Sequence, residues 1–181
     1  MGLRKASAYS KKYARPYTRT SSRKSKAYIK AVPQSKIVKF TMGDQSAFNL
    51  KKHPYEVKLI SEEKIQMRDN SLESCRMLIS KQLEKVAQGL YSFTIKVFPH
   101  HILRENKTAA GAGADRVSTG MQKAFGKPIG IALQLKEGEK FFTVSVDKEA
   151  IPIAKKALQR AAKKLPCQFR IIVNDNSKAK K

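Results

Sequence analysis

The hydrophobic pattern of the chain predicts a central amphipathic helix. Asn70 is a candidate N-cap, and Glu73 stands three residues later, as a capping box requires. Gly89 follows the pattern and readily takes the left-handed conformation that ends a helix. Apolar residues between them recur at steps of three and four: Leu72, Cys75, Ile79, Leu83 and Val86. We therefore predict a helix that packs on the core through this single stripe.

Alternating apolar and polar residues predict strands on both sides of this helix. In residues 91–98 the apolar side chains fall on one face: Tyr91, Phe93, Ile95 and Val97. Gly138 permits a turn within residues 136–139, so the strands on either side of it are predicted to pair as a hairpin. The predicted strands are residues 36–42, 55–60, 65–68, 91–98, 129–135, 140–146 and 168–173.

A second helix is predicted over residues 150–165, with Pro152 tolerated in its first turn and Pro166 ending it. Its predicted buried stripe consists of Ile151, Ala154, Leu158, Ala161 and Leu165. The opposite face carries five cations: Lys155, Lys156, Arg160, Lys163 and Lys164. This basic face fits either a phosphate backbone or bulk solvent, and the pattern leaves both readings open.

The element order predicts an α+β fold: a two-layer sandwich with two helices packed on a mostly antiparallel sheet. Residues 1–35 form a predicted basic N-terminal arm, residues 36–174 one domain, and residues 175–181 a basic tail. Residues 102–127, between two predicted strands, form a long internal loop with almost no hydrophobic period. A connection of that length inside a compact domain is usually functional or disordered. Its cations and glycines favour contact with folded nucleic acid.

The net charge is the strongest functional signal in the sequence. The chain has 181 residues, with 38 Lys and Arg against 14 Asp and Glu, a formal net charge of +24. Such an excess calls for a polyanionic partner, with nucleic acid the first expectation and an anionic membrane surface the weaker one. No apolar run approaches the ~18 residues that a membrane span needs. The first acidic residue is Asp44.

Upstream of Asp44, tyrosines alternate with the cations, as in arms that order on RNA by stacking on its bases. A disordered tail that acts only as a counterion is the competing interpretation. We predict that the arm is disordered in the free protein and becomes ordered when it binds its partner.

The sequence offers little support for catalysis or for a bound metal. The glycines near Asp115 lack the spacing of a dinucleotide fingerprint, and no P-loop is present. Two cysteines and three histidines match no zinc pattern, and Cys75 and Cys167 are expected to be reduced, buried thiols. We therefore expect no enzyme activity, no cofactor, no metal and no small-molecule substrate. An RNA-modifying enzyme and a free-standing architectural protein for nucleic acid remain the alternatives.

Several motifs resemble one family, the universal large-subunit ribosomal protein sixteen in its archaeal and eukaryotic branch, and its archaeal form in particular. The densest motif is AGADRVSTGMQKAFGKPIG, within residues 110–130. Others are MGLR at the start, PYTR at 16–19, YI at 28–29, KIVKFTMG at 36–43, SLESCRMLISKQLEK at 71–85 and KKLP at 163–166. The resemblance covers nearly the whole chain.

This resemblance implies a structural protein of the cytoplasmic ribosome that binds large-subunit rRNA and joins the subunit late in assembly. Its implied partners are rRNA, tRNA, neighbouring ribosomal proteins and assembly factors, with no membrane. Residues 102–115 would point towards the peptidyl-transferase centre and help to position tRNA, and residues 116–127 would form a basic return limb. The chemistry of peptide-bond formation would belong to the RNA.

Charge and resemblance together select the residues that we expect to contact RNA. The predicted rRNA contacts are Arg4, Lys5, Lys11, Lys12, Arg15, Tyr17, Arg19, Arg23, Lys24, His101, Arg104, Asn106, Lys107, Arg116, Thr119, Lys123, Lys127, Lys155, Lys156 and Arg160. The predicted loop tip next to tRNA consists of Thr108, Ala109, Ala110, Gly111, Ala112 and Gly113.

Overall fold

The computed structural model describes residues 5–10, 17–49, 52–86, 88–106, 111 and 125–176. Its helices are α1 (Ser7–Ser10), α2 (Gln45–Asn49), α3 (Asp69–Val86) and α4 (Ile151–Ala162), with a 3-10 turn at Lys148–Ala150. Its strands are β1 (Thr41–Gly43), β2 (Tyr55–Ser61), β3 (Ile65–Arg68), β4 (Tyr91–Ile95), β5 (His101–Glu105), β6 (Lys127–Leu135), β7 (Lys140–Val146) and β8 (Phe169–Asp175). The predicted α+β class is confirmed.

The strands in the described part of the chain form two antiparallel sheets. The larger sheet has five strands in the order β1-β4-β7-β2-β8, and the smaller has three in the order β3-β6-β5. Both sheets contribute to one apolar core, in which Phe93, Phe142 and Leu133 are at most 1% exposed. The long helices α3 and α4 pack on this core.

The predicted hairpin between the strands at 129–135 and 140–146 is wrong. The turn itself forms, since Gly138 has φ +76° and the Glu139 N–H donates to the Lys136 carbonyl over 3.3 Å. However, β6 pairs with β3 and β5, whereas β7 pairs with β2 and β4. The turn therefore carries the chain from one sheet to the other. Local turn chemistry predicts a reversal of direction but does not decide which strands exchange hydrogen bonds.

The predicted stripe of α3 is confirmed over its described residues: Leu72, Cys75, Ile79 and Leu83 are each fully buried. Helix α4 packs against α3, and the Cys75 thiol lies 3.6 Å from the Ala161 carbonyl oxygen. Burial raises the pKa of this thiol to about 11, so it stays protonated at neutral pH. Both cysteines are free thiols, but Cys167 is only half-buried, which corrects the expectation that it is buried. Pro152 lies in the first turn of α4, as predicted.

The predicted capping box of α3 is wrong because the acidic side chains there bind the backbone of residues 36–38, which follow the arm. The helix begins one residue earlier, and Asp69 accepts the Asn70 N–H through Oδ1 and the Lys36 N–H through Oδ2, over 2.8 and 3.0 Å. The Glu73 carboxylate accepts the Val38 N–H over 3.3 Å. Its hydrogen bond to Arg76 lowers the pKa of Glu73, so Glu73 accepts the Val38 N–H as a charged carboxylate.

These contacts also explain why the first strand is shorter than predicted. Residues 36–42 were expected to be a strand, but β1 covers only Thr41–Gly43. Upstream of β1, the backbone N–H groups of Lys36 and Val38 are bound by the carboxylates of α3 rather than by a neighbouring strand. The predicted strand at 91–98 likewise ends at Ile95, although its predicted inward face is buried as far as Val97. None of the helices in the described ranges is both long and apolar enough to span a bilayer.

We predict that Leu83→Ala lowers the free energy of unfolding by about 2–5 kcal/mol, because it removes a fully buried leucine from the α3 stripe. The control is Met77→Ala on the same helix, where the side chain is 54% exposed and the change should stay within about 0.5 kcal/mol. Chemical denaturation followed by circular dichroism measures both. Equal losses for the two variants would contradict the assignment of the buried face.

Candidate nucleic-acid interface

The internal loop leaves the fold from two paired strands. Strand β5, His101–Glu105, was not predicted; it pairs with β6 from His101 opposite Ala132 to Glu105 opposite Lys127. The expectation of a loop from residue 102 is therefore wrong for its first four residues. The excursion starts at Asn106 and returns at Phe125, so its root belongs to the smaller sheet.

The two limbs of the loop approach each other closely at Gly126. A Cβ atom on Gly126 would lie 2.4 Å from the Glu105 carbonyl carbon and 2.6 Å from the Asn106 nitrogen. Only a residue without a side chain allows this approach of backbone to backbone. The loop root is thus narrow. The backbone at residue 126 lies this close to Glu105 and Asn106 only because residue 126 has no Cβ atom.

The arm binds directly to this root through Tyr17. The Tyr17 N–H donates to His101 Nδ1 over 2.9 Å, and the Tyr17 carbonyl accepts the Ile102 N–H over 3.0 Å. Two hydrogen bonds from one residue to adjacent residues of β5 fix both the position and the direction of the chain. As a result, Tyr17 of the arm lies beside the root of the cationic loop at β5.

An aromatic cluster surrounds this junction; we use the name for Tyr17, Tyr28, Phe125, His101 and Arg104. The Tyr17 and Tyr28 rings stack with centroids 5.5 Å apart, and Phe125 meets Tyr28 edge-on at 5.1 Å. The Arg104 guanidinium carbon lies 3.8 Å from the Tyr17 ring centroid and 3.9 Å from that of Phe125. Cation–π attraction of this kind joins the arm, β5 and the returning limb.

His101 is an uncharged acceptor within the cluster. Burial lowers the pKa of its imidazole, and the nearby His100 and Arg104 charges lower it further. The neutral ring can accept the Tyr17 N–H at Nδ1, whereas the imidazolium could not. This contact therefore depends on a deprotonated histidine.

The remainder of the described arm is anchored by apolar and polar contacts. Ala27 and Ile29 are 5% and 2% exposed. Farther upstream, the Tyr9 carbonyl accepts the Gln66 side-chain amide over 3.0 Å, and the Arg68 guanidinium carbon lies 5.4 Å from the Tyr9 ring centroid. The packed structure thus includes residues upstream of 36, where the arm was expected to end.

Comparison with known proteins identifies the family. The sequence model for ribosomal protein L16p/L10e matches residues 16–172, almost the entire described fold. The chain belongs to the ribosomal protein L16p/L10e family. Three archaeal relatives carry the name large ribosomal subunit protein uL16. The relative from Methanococcus maripaludis strain C7 is 45% identical over 96% of this chain and 95% of its own length. Those from Archaeoglobus fulgidus and Staphylothermus marinus are 42% and 44% identical, over 94% and 95% of this chain and 92% and 94% of their own lengths.

Ribosomal proteins of this family are structural components rather than enzymes. The described residues contain no group of three or more His, Cys, Asp or Glu side chains placed to hold a metal ion.

The structure brings only some of the predicted RNA contacts together at the loop root. Tyr17, His101 and Arg104 lie in the aromatic cluster, and Lys127 is exposed opposite Glu105. His101 is only 7% exposed and bonded to Tyr17, so the structure gives it a role in holding the arm; its contact with RNA stays a prediction. Exposed elsewhere in the described chain are Lys5, Arg19, Arg23, Lys24, Asn106, Lys155, Lys156 and Arg160.

The rest of the predicted site lies outside the described residues. This applies to Arg4, Lys11, Lys12, Arg15, Lys107, Arg116, Thr119 and Lys123, and to Thr108, Ala109, Ala110, Ala112 and Gly113 of the predicted tip. Gly111 is described: it is exposed with φ +114°, a conformation that favours glycine.

Phe125 was not predicted as a site residue, and Tyr28 was expected only as one of the arm tyrosines interleaved with cations. A signal for Tyr28 was present, since it stands between two small or apolar residues in an otherwise cationic segment. Phe125 gave no comparable signal, because its importance arises only when Gly126 returns the chain to the root. Side chains that meet through tertiary structure leave no spacing in the sequence.

We predict that Gly126→Ala destabilises the protein by about 1–3 kcal/mol, because the added methyl group overlaps the Glu105 and Asn106 backbone and must force the loop limbs apart. Gly130→Ala is the control, since a Cβ there meets nothing within 4 Å. Thermal unfolding should show a lower midpoint for the first variant alone. Equal midpoints would show that the root tolerates a wider separation.

We also predict a pH dependence of stability from His101. Its folded pKa lies below the unfolded value, so the unfolded chain takes up a proton that the folded chain resists. Stability is therefore full above the unfolded pKa of about 6.5 and falls as the pH drops from there towards the folded pKa. His101→Asn retains an acceptor near Nδ1 and cannot titrate.

Denaturation midpoints of wild type and His101→Asn, measured from pH 8 to pH 5, test this expectation. The difference between the two curves isolates His101 from the other histidines. We expect wild type to lose stability relative to the variant as the pH falls. Parallel curves would contradict the assigned role of the neutral ring.

Proposed function

We propose that this structural constituent of the large ribosomal subunit binds large-subunit rRNA through its arm and loop root, and that its internal loop helps to position tRNA near the peptidyl-transferase centre. The observation that carries this proposal is the attachment of Tyr17 to His101 and Ile102. It makes the arm and the loop two parts of a single cationic surface.

Electrostatics supports RNA as the partner of this surface. The chain has a formal net charge of +24 and no acidic residue before Asp44. The acids of α3 accept backbone N–H groups just after the arm, and Arg19, Arg23 and Lys24 within the described part of the arm remain exposed. Phosphate neutralisation by such side chains releases condensed counterions and supplies most of the affinity for RNA.

The shape of the surface supports folded RNA over a regular duplex. An α-helix or a two-stranded ribbon reads the major groove of DNA, whereas this surface consists of an irregular arm and a loop root. Irregular segments with exposed aromatic rings suit loops, bulges and junctions, where bases are unstacked. The basic face of α4 is exposed and offers a second place for phosphate contacts.

The proposed partners follow from this surface. Large-subunit rRNA would occupy the arm and the loop root, and tRNA would meet the loop beyond residue 106. Neighbouring ribosomal proteins and assembly factors complete the proposed set. Peptide-bond chemistry stays with the RNA in this proposal.

The proposal is tested by deleting residues 108–113 in cells whose only copy of the protein carries the change. The deletion removes no residue of the described core, so we expect the variant to sediment with large subunits in sucrose gradients at low and high salt. Translation by those particles should fall several-fold. Truncation of residues 177–181 serves as a control that should leave translation unchanged.

The two parts of the proposal fail in different ways. If wild type stays near the top of the gradient while ribosomal particles sediment, the rRNA part is overturned. If the deletion variant sediments with large subunits and translates at the normal rate, the tRNA part is overturned.

A further inference from the structure

We propose that Tyr28, supported by Phe125, is a stacking platform for one unpaired RNA base. This inference rests on the proposed function, because it specifies which kind of rRNA element the loop root receives. The ligand class is a nucleotide in a single-stranded loop, bulge or end, whose base has a free face.

The first support is the direction in which Tyr28 projects. Its neighbours Ala27 and Ile29 are 5% and 2% exposed, whereas Tyr28 itself is 60% exposed. The backbone is thus anchored on both sides of a large ring that points away from the core. Leaving this much aromatic surface in water forgoes the stabilisation that its burial would bring.

The second support is that the Tyr28 ring is already held in place. Tyr17 stacks against it with an angle of only 11° between ring planes, and Phe125 meets it nearly perpendicularly, at 84°. Both contacts restrict rotation of the ring. A base that stacks on a restrained ring loses little additional side-chain entropy on binding.

Attachment of the arm does not account for the exposure of these rings. Tyr17 already ties the arm to β5 through two backbone hydrogen bonds, and Ala27 and Ile29 anchor it again downstream. A ring that served only to hold the arm would be buried, yet Tyr28 and Phe125 are 60% and 50% exposed. Their exposed surface is available for a partner.

The charge around the cluster selects RNA as that partner. Lys26 and Lys30 lie two residues on either side of Tyr28, and both are exposed. The Arg104 guanidinium lies against Tyr17 and Phe125, with its central carbon 3.8 and 3.9 Å from the two ring centroids. These cations complement the phosphates that flank a stacked base.

An unpaired base fits this arrangement better than a duplex does. The faces of bases within a helix are covered by their neighbours, whereas single-stranded elements offer faces that stack on tyrosine or phenylalanine. A single restrained ring beside a guanidinium suits one splayed base and its phosphates. Phosphate contacts alone would need no exposed aromatic ring.

The experiment compares Tyr28→Leu with Tyr28→Phe in the full-length protein. The probes are large-subunit rRNA and a short unstructured RNA that carries a single 2-aminopurine, whose fluorescence responds to stacking. We expect Tyr28→Leu to weaken binding of the short RNA by about 5- to 100-fold and to abolish the fluorescence response. Tyr28→Phe should stay close to wild type. Val32→Ala, at another exposed apolar residue of the arm, is the matched control and should change neither readout.

The salt dependence separates stacking from electrostatics. Stacking of a base on Tyr28 neutralises no phosphate and therefore releases no counterions. Tyr28→Leu should lower the affinity without changing the slope of log K against log salt. Lys30→Gln should reduce the size of that slope by about 0.7 if it removes one phosphate contact on single-stranded RNA.

Each outcome decides between the competing explanations. Unchanged affinity of Tyr28→Leu for the short RNA overturns the platform, even if binding of large-subunit rRNA persists. A lower unfolding midpoint with a shallower salt slope also overturns it, because the ring would then serve to hold the arm. Failure of wild type to bind large-subunit rRNA at all overturns the proposed function instead.

Discussion

Self-repulsion is the constraint on which the rest of this structure depends. A formal net charge of +24 opposes any fold that gathers its cationic segments, yet the arm and the loop root lie together. The contacts that join them are mostly uncharged: backbone hydrogen bonds, stacked rings and a neutral imidazole. Arg104 fits because aromatic faces attract its charge without neutralising it. The cationic surface is thereby assembled while its charge remains available to a polyanion.

Two carboxylates at the start of α3 bind backbone groups rather than the cations of the segment that they hold. Asp69 and Glu73, at the start of α3, each accept a backbone N–H of the segment 36–38, which follows the arm. Bonds of this kind position a segment without cancelling any lysine or arginine of that segment. They also explain a failure of sequence reasoning, since Glu73 matched the spacing of a capping box but was used in a tertiary contact. Local spacing identifies an available acceptor, not the donor that it meets.

The sequence predicts an element of the fold well where its apolar residues recur with a single helical or strand period. The α3 stripe and the alternating strand β2 followed from apolar spacing alone. Strand β5 was missed because only Ile102 and Leu103 are apolar within five residues, too few to establish a period. The separation of β6 from β7 was missed because both strands have long buried runs, which leave the pairing partner undetermined. For the site, charge indicated the arm and the loop, but the aromatic cluster depends on residues distant in sequence.

The narrow root has a mechanical consequence for the loop. Strands β5 and β6 are paired as far as Glu105 opposite Lys127, so the root opens only if this strand pairing breaks. Any displacement of the root must therefore move the smaller sheet, to which Tyr17 fastens the arm. RNA bound to the arm would restrain the base of the loop through these same contacts. The proposed partner at the arm would in this way act on the base of the loop, even though many residues separate the two segments in sequence.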